Sequence, residues 1–176
     1  MKDFLPVLKI LLRFVVIYIA LVLLYQFYLN GYENEVVDPF TRSVAVQVAS
    51  LQGFLGFPTL LVDHMKLHSV LFQTYGEYTT RMVEGCNAIS VAILFSAFIF
   101  AFYKGAKTFL FVLGGLILLH ILNVLRIALL NIIYIKYPQY ERMSHDYLFP
   151  AIIYGGVIIL WLVWIQFFAL KKSDKS

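Results

Sequence analysis

The chain has 176 residues, 61% of them hydrophobic and 14% charged, with a mean hydropathy of +0.82. Ordinary soluble domains hold about half apolar and about a quarter charged residues, so this balance excludes one and predicts a single integral membrane domain, 1–176. The formal charge of +4 is modest, its placement matters more than its size, and no nucleic-acid partner is expected.

The single cysteine, Cys86, rules out an internal disulfide. No Cys/His pair has zinc spacing, and His64, His68, His120 and His145 are too scattered to name a metal site. No Walker or dinucleotide glycine motif is present. Neither a metal nor a cofactor is therefore expected. Gly114-Gly115 and Gly155-Gly156 lie inside apolar runs, where close helix packing is their ordinary role.

The fold expected is all-α, with about four transmembrane helices, an interfacial helix and a short extended segment. The first apolar run, 10–29, follows Lys2, Lys9 and Arg13. It is about 20 residues long, enough to span a bilayer, and no small-residue cleavage pattern follows it, which argues against a signal peptide. Tyr25, Phe27 and Tyr28 at its end resemble an interfacial aromatic belt. The segment 30–85 is different, with six acids and three bases. From Thr41 to Leu55 the apolar residues Val44, Val48, Leu51 and Leu55 fall on one helical face. That pattern predicts a helix lying in the membrane interface. Gly53, Gly56 and Pro58 break it. Between Leu60 and Val83 the alternation is ragged, with a turn at Tyr75-Gly76-Glu77, which predicts a short β-hairpin or an extended loop leading to Cys86.

The second span is 86–103, starting near Gly85. The third, 108–135, is interrupted by His120, Asn123, Arg126 and Asn131 and covers roughly 42 Å at helical rise. A loop, 136–146, carries Pro138, Glu141, Arg142 and His145, and the last span is 147–170. Bases cluster at the N-terminus, at Lys104 and Lys107, and at Lys171, Lys172 and Lys175. The segment 30–85 is net negative by three. By the positive-inside rule both termini are cytoplasmic, and Cys86 and His145 lie at the outer face.

Arg126 is the strongest chemical signal. It falls roughly 15 Å below the loop at helical rise. An arginine at that depth costs about 2.5–3.5 kcal/mol on insertion scales and usually faces a bundle interior or a wet cavity. The plainer readings are snorkelling or a structural hydrogen-bonded pair. Asn123 and His120 lie near the same helix face. Cys86 alone reads first as a small packing residue or a lipidation site. A place at a helix start, with Arg or His nearby, would favour its thiolate. His145 alone would be a solvated loop residue, and His120 a satisfied polar contact. Together, a thiol, a guanidinium and an imidazole at the outer face are the equipment for acyl transfer through a thioester.

At these residues the chain resembles the exosortase/archaeosortase family of membrane cysteine transpeptidases. The resemblance rests on Cys86, Asn123-Val124-Leu125-Arg126 and His145 in that order, and covers roughly 84–164. The short length is most similar to the exosortase F type. Many members have a small residue and then glycine after the cysteine, where this chain has Asn87-Ala88-Ile89-Ser90. The resemblance implies Cys86 as nucleophile, Arg126 as transition-state stabiliser and His145 as general acid/base, with Asn123 orienting Arg126. It also implies residence in a bacterial inner membrane. The clients would be exported proteins with a C-terminal motif, transmembrane helix and basic tail, passed after cleavage to an acceptor amine or lipid. The residues leave two alternatives: a non-catalytic membrane scaffold, or a small-solute transporter using Arg126 as a counter-ion, against which the absence of repeated half-structures counts.

Overall fold

The computed structural model describes residues 5–169. Lys2 and the tail bases Lys171, Lys172 and Lys175, on which the orientation argument partly rests, lie outside the described residues, as does the last residue of the expected fourth span. The chain is predominantly helical, with a small antiparallel sheet of three strands that corrects the all-α expectation. Helix α1 (Leu5–Asn30) buries no residue of its own and packs along α3 (Ile89–Ala101). Helix α2 (Pro39–Phe54) starts sharply because Asp38 caps it, accepting from the amides of Phe40 at 3.0 Å and Thr41 at 3.1 Å. Proline at the first helical position lacks the N–H that would otherwise be orphaned there.

Most of the apolar stripe of α2 is covered by protein, with Leu55 at its end left 46% exposed. Val44, Ala45 and Val48 are fully buried, in one core with Val70, Phe72 and Met82 of the sheet and Val124, Ile127 and Ala128 of α4 (Ala106–Lys136). Helical periodicity identifies an apolar face, but protein and bilayer satisfy it equally, and here protein does. Polar pairs tie the layers: Gln52 accepts from Asn131 of α4 at 2.9 Å, and Gln47 meets His120 at 2.7 Å.

The ragged stretch folds as β1 (Thr59–His64), β2 (Ser69–Thr74) and β3 (Glu77–Met82), in the order β1-β2-β3. Two strands were foreseeable from the turn at Tyr75-Gly76; the third, β1, follows α2 after the connection 55–58. A β-bulge sets Phe72 opposite both Thr79 and Thr80, since Leu71 pairs with Arg81 and Gln73 with Tyr78. The extra residue explains the broken alternation in the sequence.

Beyond the sheet, α3 and α4 pack with α5 (Pro138–Phe168) around an aromatic core. Phe98 stacks on Trp161 at 4.3 Å, and Phe111 lies 5.0 Å from Trp164. Gly115 admits Phe95 so closely that a Cβ there would lie 2.3 Å from the ring, and at Gly156 a Cβ would touch Leu122 at 3.4 Å. Gly114 and Gly155 face nothing within 4 Å, so only one glycine of each pair packs as expected. Among the described residues, α1, α4 and α5 are long and apolar enough to cross a membrane. Helix α3 is equally apolar but has 13 residues, so the expected second span is short. The expected loop 136–146 is largely helical: α5 begins at Pro138 and passes through a wide π-helical turn, Ser144–Leu148, that contains His145.

Candidate active site

Cys86 closes a single 3-10 turn, Glu84–Cys86, that follows directly from β3. Its amide donates to the Val83 carbonyl at 2.9 Å. Helix α3 starts at Ile89, not near Gly85, because Ala88 takes the left-handed conformation with φ 63°. A left-handed alanine is uncommon and is held only by its surroundings. Asn87 supplies them. Its side-chain oxygen accepts from the Ile89 amide at 2.9 Å, and its amide donates to the Tyr25 hydroxyl and to Thr41 Oγ1, each at 2.9 Å. The amides of the first turn of α3 therefore begin three residues beyond the sulfur, and the first is taken. Cys86 therefore does not sit at the start of α3, where it was expected.

Asn87 belongs to a buried polar network. Asp38, fully buried, accepts from the Tyr28 hydroxyl at 3.2 Å and from Thr41 Oγ1. Tyr25 and Tyr28, expected in an aromatic belt, turn inward to these partners, whereas Phe27 stays 80% exposed. The network joins α1, α2 and the start of α3 and fixes the backbone next to Cys86. Only the Asp38-Pro39 helix-start signature could have pointed to it in the sequence.

Asn123 is buried on α4 and donates from Nδ2 to the Cys86 carbonyl at 3.0 Å. It was expected to orient Arg126. Instead it holds the cysteine's main chain, and its Oδ1 has no partner among the described residues. This bond places Asn123 level with Cys86. The thirteen residues of α4 beyond it reach roughly 20 Å further, flanked by α2 and β3. Arg126, one turn along, is thus not surrounded by apolar chain on all sides; it borders a cavity.

That cavity, about 590 Å³, lies between β3, α4 and the first turns of α5. Cys86, Arg126 and His145 all line it, together with Gly85, Glu141, β3 from Tyr78 to Met82, and Val83. Three of the four residues singled out in the sequence share one space, and the fourth buttresses it. Cys86 and Tyr154 are the ionisable groups near enough to the Arg126 guanidinium to act on it electrostatically. His145 Nδ1 is 2.8 Å from Asp146 Oδ1. A carboxylate only accepts, so Nδ1 carries the proton and Nε2 is the basic nitrogen. Asp146 in turn lies 3.7 Å from Arg142 Nε. Asp146, Glu141 and Tyr154 were not foreseen; each is an ordinary polar residue until the helices are packed.

Glu84, two residues before Cys86, is half-buried. Desolvation pushes its carboxyl above the ordinary range, the charge of Asp38 adds to this, and His68 opposes it. His68 itself contacts the Glu35 carbonyl at 3.0 Å, and His64 accepts from the Leu67 amide at 3.2 Å, so both serve the loops of the sheet. Among the described residues no group of three His, Cys, Asp or Glu side chains could hold a metal ion. No family model, curated protein or solved structure matches the chain.

Proposed function

We propose that the chain is a membrane-embedded cysteine peptidase or transpeptidase of exosortase type, acting on C-terminal sorting signals of exported proteins. The observation that carries this reading is the convergence of Cys86, Arg126 and His145, from three separate elements, on one cavity. The His145 imidazole takes the thiol proton, and the Cys86 thiolate attacks the scissile carbonyl. Arg126 stabilises the oxyanion of the tetrahedral intermediate. His145 then gives the proton to the leaving amine, the C–N bond breaks, and a thioester remains on Cys86. An acceptor amine or lipid hydroxyl, losing its proton to His145, attacks the thioester and regenerates the thiol. On this reading the chain lies in a bacterial inner membrane with both termini cytoplasmic and the cavity at the outer face. A client anchored by its own helix meets the enzyme by lateral diffusion.

The test compares the masses of host membrane proteins that end in a motif, an apolar helix and a basic tail. With wild-type protein the tail should be removed. With Cys86→Ala it should be retained completely, and with Arg126→Ala processing should fall by about 10²–10³, the usual loss of an oxyanion-stabilising group. Unchanged client masses in the Cys86→Ala strain would sink the reading.

A further inference from the structure

We infer that the cavity receives the client as an added β-strand, paired in extended conformation with the free edge of β3; the inference rests on the peptidase reading for the occupant's identity. Strand β3 is last in its sheet, so one edge has no neighbouring strand. Among the described residues its main chain makes backbone hydrogen bonds to β2 alone. A strand edge with free N–H and C=O groups is a template for another extended chain. Edges of this kind are commonly blunted by charge or covered. The edge of β3 carries Glu77, Arg81 and the bulge, yet residues 78–82 border the 590 Å³ cavity; Thr80 bonds Asn131 of α4 on one side, and the start of α5 lines the cavity beyond.

The register of the chain strengthens the argument. Strand β3 runs without a break through Val83 into the turn that ends at Cys86. A peptide laid along β3 is therefore led to the sulfur by main-chain hydrogen bonds, which fix the position of a carbonyl whatever the side chains are. At six residues, β3 offers roughly 20 Å of template. The bulge at Thr79 and Thr80 increases the local twist and lies along this edge. Substrate class follows: an unstructured segment of a few residues just outside the client's membrane helix, read at alternate side chains by Tyr78, Arg81 and the α4–α5 wall.

The experiment uses the full chain in lipid nanodiscs. A pool of synthetic hexapeptides bearing a C-terminal cysteamine thiol is equilibrated as mixed disulfides with Cys86 under a thiol reductant, and enriched peptides are resynthesised with one amide N-methylated at a time. Strand addition predicts that capture falls about five- to tenfold at every second amide, the worth of one lost hydrogen bond, and holds steady at the others. A flat scan, a loss without alternation, or a pool with no enriched member overturns the inference. Capture needs only a thiol at position 86 and no turnover, so its failure is distinct from failure of the peptidase reading, which the Cys86→Ala client masses decide.

Discussion

Two residues before the sulfur, Glu84 has a carboxyl that burial and Asp38 push upward. The folded chain then holds this proton at a pH where the unfolded chain has lost it. The stabilisation is fully present below the ordinary glutamate range and is lost as pH rises through the higher folded value. At neutral pH the ionised Glu84 is therefore a small liability, reduced by its partial exposure. Glu84→Gln should raise the thermal midpoint by about 1–2 °C at neutral pH and give no gain in acid. A melt series across pH checks both halves; a gain that persists in acid would mean that the benefit has nothing to do with ionisation. Asn123 and Asn87, by contrast, hold neutral hydrogen bonds and should show no such pH dependence. The residue types that the proposed chemistry uses were legible in the sequence. Their supports were not, because Asn87, Asp38 and Thr41 are separated by up to 49 positions and meet only after α1, α2 and α3 have packed.

At the scale of elements, the α3–α4 contact depends on a missing side chain. Phe95 occupies the space a Cβ at position 115 would need, at 2.3 Å from the ring. Gly115→Ala should cost about 1–3 kcal/mol through overpacking, whereas Gly114→Ala should be neutral or stabilising, since nothing lies within 4 Å and alanine favours the helix. Adding Phe95→Ala to the Gly115 variant should relieve the clash while leaving its own loss of packing. Thermal unfolding in detergent separates these, and equal melting of the Gly114 and Gly115 variants would refute the packing account. Which glycine of a pair meets a neighbour depends on helix rotation, a quantity that hydropathy does not contain. The strands show the same limit: an extra residue at Thr79–Thr80 spoils a period of two. Helices α1 and α4 were plain because run length alone defines them. The start of the last helix was obscured by Glu141, Arg142 and His145, polar residues that look like loop but occupy helical turns facing the cavity and solvent.

For the whole molecule, two cores stack along α4. Its lower half packs with α3 and α5 through Val112 and Leu119, and its upper half packs with α2 and the sheet through Val124, Ile127 and Ala128. Cys86 lies at the junction, tied to α4 by Asn123. The segment 30–85, whose helix was expected to lie in the membrane interface, is thus a cap built onto a helix that extends past the cysteine. Its acid-rich composition announced that it differs from the spans, but the same apolar stripe serves a cap and an interfacial helix alike, so sequence left its partner undecided. The proposed cleavage chemistry would then belong to the seam between the two cores and not to either one.

The shortness of α3 has a consequence for the lipid around it. Thirteen residues rise roughly 20 Å, against a hydrocarbon thickness of about 30 Å. The chain on its Cys86 side continues as a 3-10 turn and a left-handed alanine, backbone that hydrocarbon tolerates only where protein or water covers it. Thinning of the bilayer beside α3 is the expected response, and it would bring headgroups and water down to the sulfur. In proteoliposomes of graded acyl-chain length, client cleavage should be fastest in the thinner bilayers and fall as the chains lengthen, the cost being fractions of a kcal/mol per Å of mismatch. A rate indifferent to chain length would show that the protein itself fills the missing depth.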